Sequence, residues 1–101
     1  MDRIVNIPET VAQVVADYEY PSPVATMHYV HDPQKHIDLV LVIPNNRNIE
    51  PHIVVMTRLQ GDNVIVEVDT TDRPLEEALI DAGIPRTQVV VAWRDQPARA
   101  G

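Results

Sequence analysis

The sequence predicts an α+β fold with two layers, in which two helices cover one face of a mostly antiparallel sheet of about five strands. Three observations favour this fold class. Five segments have the apolar period of two that is typical of strands, two others carry an apolar stripe at helical spacing, and turn residues separate the segments. Each predicted helix has a single stripe, so both should pack on one face of the sheet, in the element order α-β-β-β-β-α-β.

The first helix is predicted over Pro8–Tyr18. Proline suits the first turn of a helix, and Glu9 lies where the positive end of the helix dipole favours a carboxylate. The apolar stripe consists of Val11, Val14, Val15 and Tyr18. Because valine has a low helix propensity, a strand over Val11–Val15 is the alternative interpretation.

Four strands are predicted next, over Val24–Val30, His36–Ile43, His52–Leu59 and Asn63–Asp69. Turn residues between the first two strands indicate a hairpin, and the pair Gly61-Asp62 indicates a tight hairpin between the third and fourth. In the second strand, Leu39 and Leu41 alternate with Val40 and Val42, so both of its faces are apolar. We therefore expect the second strand to be central in an antiparallel sheet.

The second helix is predicted to begin after the short polar side chains of Asp69–Asp72, with Pro74 in its first turn, and to end at Gly83. Its apolar stripe consists of Leu75, Ala78, Leu79 and Ala82. Asp69 and Asp72 are expected to cap its first turn, and Pro85 prevents the helix from continuing. A fifth strand is predicted over Gln88–Trp93, and the sequence leaves open whether it pairs in parallel with the fourth strand or reaches another one.

The order of signals in this region is similar to that of a known family. A Gly-Asp hairpin, a valine-rich strand and an Asp-x-Thr helix start precede the tetrad Ala82-Gly83-Ile84-Pro85, which a polar spacer and an apolar strand follow. The chain thereby resembles the XisI-like family, the fdxN element excision controlling factors. The resemblance extends from about His31 to Trp93. The segment Val64-Ile65-Val66 replaces a strand that is usually rich in aromatic residues, so the chain resembles a divergent member.

The resemblance implies a function. Members of the family take part in excision of the fdxN element, a programmed DNA rearrangement in heterocyst-forming cyanobacteria, together with a companion protein, XisH. The chain is accordingly expected to be a non-enzymatic regulatory protein that acts through a protein partner.

Composition predicts a single acidic domain over residues 1–101. With 15 acidic and 8 basic residues the net charge is −7, and the basic residues are scattered, which disfavours direct binding to nucleic acid. No apolar run approaches the ~18 residues of a membrane span, and the N-terminus lacks a secretory signal. We therefore expect a cytoplasmic protein without membrane contact, and we expect residues 94–101 to form a flexible tail.

The candidate interaction residues are Trp93, Arg94, Glu76, Glu77 and Asp81. Tryptophan and arginine are enriched at binding hot spots, although a single tryptophan more often fills the edge of a core. The three carboxylates are predicted on the solvent-exposed arc of the second helix. Since both helices should cover the same face of the sheet, the opposite face is left with apolar side chains, which predicts a homodimer or a higher homo-oligomer.

Two rival functions start from the charged residues. A metal-dependent hydrolase or nuclease accessory would use His36, Asp38 and His52, because imidazole and carboxylate groups are metal ligands. An acidic antagonist would instead occupy the basic groove of a nuclease-like companion. The sequence shows no glycine-rich phosphate loop, nucleophile elbow or catalytic triad, so we expect no cofactor and no enzymatic activity.

Overall fold

The computed structural model describes residues 6–95 of the chain, and it confirms the predicted α+β fold and element order, with a short helix added at the end. The elements are α1 (Ile7–Ala16), β1 (Ala25–Asp32), β2 (Ile37–Pro44), β3 (His52–Gln60), β4 (Asn63–Asp69), α2 (Leu75–Asp81), β5 (Val89–Val91) and α3 (Ala92–Asp95), with a 3₁₀ turn at Arg86–Gln88 before β5. No helix among the described residues is both long enough and apolar enough to cross a membrane.

The five strands form one sheet in the order β1-β2-β3-β4-β5. The first three pairs are antiparallel, and β5 lies parallel to β4, with Val64 opposite Val89 and Val66 opposite Val91. This pairing decides between the two alternatives that the sequence left open for the last strand. Strands β1 and β5 form the two edges of the sheet.

Helix α1 forms where the sequence also allowed a strand. The Asn6 side chain accepts a hydrogen bond from the Glu9 N–H at 3.0 Å and so caps the first turn. Val11 and Val15 are fully buried against the sheet, which supplies the packing that their low helix propensity requires. Tyr18 is buried as well, and its hydroxyl donates to the Arg73 carbonyl at 2.8 Å.

Helix α2 begins and ends at the predicted signals. The Asp69 carboxylate accepts hydrogen bonds from the N–H groups of Leu75, at 2.7 Å, and Thr71, at 3.0 Å, which confirms its role in capping. Gly83 has a φ of 112°, and Ile84 folds back onto the helix and is buried. Leu75 and Leu79 are both fully buried.

The prediction for the last strand is wrong in its length. Strand β5 has three residues rather than six, because the chain turns into α3 at Ala92. The Asp95 carboxylate accepts a hydrogen bond from the Val91 N–H at 2.9 Å and closes this turn. Arg94 and Asp95, which were assigned to the tail, thus belong to α3, and residues 96–101 lie outside the described residues.

The two faces of the sheet differ in what covers them. On the covered face, valines such as Val40, Val55 and Val64 pack against α1 and α2 and are fully buried. The opposite side, here called the open face, carries ten apolar residues: Val30, Ile37, Leu39, Leu41, Ile43, Ile53, Met56, Ile65, Val68 and Val90. Most of them are half-buried, Val30 and Ile43 are exposed, and only Ile65 is buried.

Candidate interaction surface

The Arg94 side chain ties α3 to α2. Its guanidinium donates to both carboxylate oxygens of Glu76, at 2.9 and 2.7 Å, and to both oxygens of Asp95, at 2.5 and 2.7 Å. Such paired hydrogen bonds fix the orientation of the guanidinium as well as its position. The short helix is therefore anchored at a defined place beside the first turn of α2.

The charges in this arrangement perturb one another. Hydrogen bonds from Arg94 and from the Val91 N–H lower the pKa of the Asp95 carboxyl to about 2. The pKa of Glu76 is lowered mainly by its hydrogen bond to Arg94, and the two carboxylates raise the pKa of the guanidinium. All three groups remain ionised at neutral pH.

Trp93 lies on this anchored turn and has 62 % of its surface exposed. The expectation that it would more often fill the edge of the core is therefore wrong, because β5 ends before it and α3 directs it outward. A large aromatic side chain beside a fixed arginine has the composition of a binding hot spot. Trp93, Arg94 and Glu76 are hereafter called the α3 surface.

The other two predicted interaction residues lie elsewhere. Glu77 and Asp81 line a shallow groove between α1 and α2, together with Val14 and Arg73. Glu76 contacts Arg94 instead, on the side of α2 that faces α3. The structure thus divides the predicted set of five residues between two sides of α2 and brings only three of them together.

The open face is a second candidate surface. Its charged side chains on β3 and β4 neutralise each other, since Arg58 Nε donates to Glu67 Oε2 at 2.8 Å. His28 and Thr26 lie on the same face of β1, because they pair with Leu41 and Ile43 of β2. Apart from Asp32 at the rim, most of the remaining open face is apolar, as the sequence predicted for the side of the sheet that lacks helices.

A polar cluster that the sequence analysis missed lies on the covered face. The buried Asp38 carboxylate accepts a hydrogen bond from the Tyr29 hydroxyl and is 2.9 Å from His31 Nδ1. The Tyr29 and His31 rings stack with their centroids 6.5 Å apart. Burial and the hydrogen bond to Asp38 raise the pKa of Tyr29. His31 and Asp38 meet because they pair across the β1–β2 hairpin, in a register that alternation within each strand does not give.

The three residues of the rival metal site are not brought together. His36 lies in the β1–β2 turn with a φ of 59°, whereas His52 pairs with Val42 near the other end of β2. Six residues of strand separate these positions along β2, a distance of about 20 Å. Among the described residues, no group of three or more potential ligands has the geometry to hold a metal ion.

At each edge of the sheet, a carboxylate accepts a hydrogen bond from a backbone N–H group of the edge strand. On β1, the Tyr29 N–H donates to Glu19 Oε2 at 2.8 Å, and on β5 the Val91 N–H donates to Asp95. An added strand would need these donors, so the two acids disfavour pairing along either edge.

Comparison with known proteins finds one matching family model and solved structures with a similar fold. The family model described as XisI protein matches residues 1–100, whereas no curated protein matches the chain. Among solved structures, an XisI-like protein from Anabaena variabilis ATCC 29413 is similar with a TM-score of 0.79 and 17% identity, over 91% of this chain and 88% of that one. The fdxN element excision controlling factor XisI from the same organism is similar with a TM-score of 0.68 and 19% identity, over 86% and 88%. At such identities the two structures show a common fold.

Proposed function

Because the chain belongs to the XisI protein family, we propose that it is a non-enzymatic excision controlling factor. In this proposal it acts in the cytoplasm, in a programmed DNA rearrangement, and it does so by binding a companion protein of the XisH type. The net charge of −7 supports contact with a protein rather than with DNA, because DNA binding requires clustered positive charge.

The observation that carries the proposal is the exposure of Trp93 on an anchored turn. Leaving a tryptophan in water costs free energy that burial against a partner recovers. Arg94 is already oriented by Glu76 and Asp95, so little side-chain entropy is lost when a partner contacts it. The α3 surface therefore combines an apolar anchor with a preorganised charged rim.

The absence of catalysis is part of the same proposal. It is supported by the separation of His36 from His52 along β2. The imidazole of His31 is partly exposed, and it lines neither the groove around Ile43 and Pro44 nor the groove around Tyr20 and His52.

The test is binding of the purified chain to an XisH-type companion, measured by calorimetry. We expect Trp93→Ala to weaken binding by about thirtyfold, equivalent to about 2 kcal/mol for a hot-spot aromatic residue. Tyr20→Ala is the matched control, because Tyr20 is 60% exposed on a different surface and its removal should leave the affinity unchanged.

Two results would contradict the proposal. Equal affinity of the Trp93→Ala variant and the unmodified chain would show that the α3 surface does not contact the companion. A complex that weakens steeply with added salt, and that is insensitive to Trp93, would favour the acidic antagonist instead.

A further inference from the structure

We propose that the open face packs against the open face of a second copy of this chain, so that a two-fold symmetric dimer forms with the helices on its two outer sides. This dimer adds a second copy of the chain to the partners in the proposed function. It rests on that function only in the assumption that the protein acts by binding other proteins.

The distribution of charge favours a second copy of the chain as the partner of the open face. The chain carries 15 acidic residues, yet among the described residues Glu67 is the only one in the middle of the open face, and Arg58 neutralises it. Asp32, at the rim, is engaged by the N–H groups of Gln34 and Lys35 at 3.0 and 3.1 Å. A basic partner would be attracted to the acidic helix layer rather than to this face. Two acidic copies, in contrast, can approach each other without repulsion only through a surface that lacks net charge.

The sheet edges disfavour the other common way of joining two sheets, which is pairing of edge strands. Glu19 occupies the Tyr29 N–H on β1, and Asp95 occupies the Val91 N–H on β5. Each acid would have to leave before a strand from another copy could pair there. Since the covered face is filled by α1 and α2, the open face is the large apolar surface that remains among the described residues.

The size of the open face is close to what a specific interface needs. Eight residues of β2 span about 26 Å and five strands at their usual spacing span about 19 Å, so the flat area is at most about 500 Å² per copy, because β5 has only three residues. Two copies would bury up to about 1,000 Å², the lower bound for a specific interface. A two-fold axis places the same residues on both sides, so Leu39, Leu41 and Met56 of one copy would pack against the same set of its partner. Two sheets pack in this way about 10 Å apart.

The test is the mass of the purified chain in solution, by light scattering and sedimentation at micromolar concentration. We expect twice the chain mass of 11.4 kDa for the unmodified protein. Leu41→Lys should weaken the dimer by at least about a hundredfold, because each dimer would bury the uncompensated charge twice. Gln13→Lys is the matched control, since it adds the same charge to an exposed position on α1 and should leave the dimer intact.

Circular dichroism of each variant establishes that the monomer remains folded. A monomeric unmodified chain would overturn the inference, and so would a dimer that Leu41→Lys does not weaken, because another surface would then join the copies. The measurement uses the chain alone, without a companion, and we expect Trp93→Ala to remain dimeric. Failure of the dimer and failure of companion binding are therefore distinguished by separate measurements.

Discussion

The two faces of the sheet contain similar side chains in different surroundings. On the covered face, Val40, Val55 and Val64 have no exposed surface, because Leu75 and Leu79 of α2 and the valines of α1 fill the space above them. On the open face, equally apolar residues stay half-exposed. The difference lies in the placement of the helices, since α1 and α2 cover one face, α3 lies beside α2, and no helix among the described residues covers the other face.

The polar groups of the two faces differ in the same way. Asp38 on the covered face is buried and satisfied by two neighbouring side chains, whereas Arg58 and Glu67 on the open face form a half-exposed ion pair. A buried group must be satisfied within the chain, while a half-exposed pair still contacts water. The covered face therefore stabilises the monomer, whereas the open face of a single chain stays in contact with water.

The largest expected effect on the free energy of unfolding comes from truncating one leucine on each face of the sheet to alanine. Leu79→Ala removes a fully buried side chain and should lower the free energy of unfolding by about 3 kcal/mol. Leu41→Ala removes a half-buried one and should cost the dilute monomer about 1 kcal/mol. Urea denaturation at submicromolar and at high micromolar protein concentration measures both.

The dependence on protein concentration distinguishes the two leucine variants. If the open face is buried between two copies, the cost of Leu41→Ala should grow as the protein concentration rises, whereas the cost of Leu79→Ala should stay constant. Equal costs for the two leucines in the dilute monomer would show that the two faces are equally buried within one chain.

A smaller effect is expected from the polar groups. Asp38→Ala leaves the Tyr29 hydroxyl without its acceptor and should cost about 2 kcal/mol. Glu67→Ala breaks a half-exposed ion pair and should cost about 0.5 kcal/mol, with less effect at high salt. Asp38→Asn, which keeps an acceptor for Tyr29, should fall between them. The order of the three urea midpoints checks the comparison, and a larger cost for Glu67→Ala than for Asp38→Ala would contradict it.

Much of the fold follows from local patterns that the sequence states directly. Period-two alternation assigned Leu39 and Leu41 to one face and Val40 to the other, and the structure confirms both assignments. The start of α2 was also predictable, because Asp69 lies where a short side chain can reach the free N–H groups of the first turn. These features depend on residues close together in the chain.

The features that were not predicted depend on contacts between distant residues. The run from Gln88 to Trp93 has strand composition, but α3 is held by a hydrogen bond from Asp95 and by the contact of Arg94 with Glu76, which is 18 positions earlier in the chain. The Asp38 cluster likewise requires the register of β1 against β2, which the turn containing His36 sets. Alternation gives the faces of a strand, but it does not give the pairing register.

The smallest effect concerns pH, and it depends on the Tyr29 hydroxyl of the covered face. Burial and Asp38 raise the pKa of Tyr29 above its ordinary value of 10.0, so the folded chain favours the neutral phenol. The stability that this shift contributes is fully present below pH 10 and is lost as the pH rises above it, because the unfolded chain ionises first. We expect urea midpoints to fall between pH 9 and pH 11 for the unmodified chain, and to fall less for Tyr29→Phe. Tyr20→Phe is the control, since Tyr20 is exposed and its substitution should leave the alkaline slope unchanged. If the urea midpoints of all three proteins fell equally with pH, the Tyr29 hydroxyl would be as accessible as a hydroxyl in solvent. The covered face would then not bury its polar groups more than the rest of the chain does.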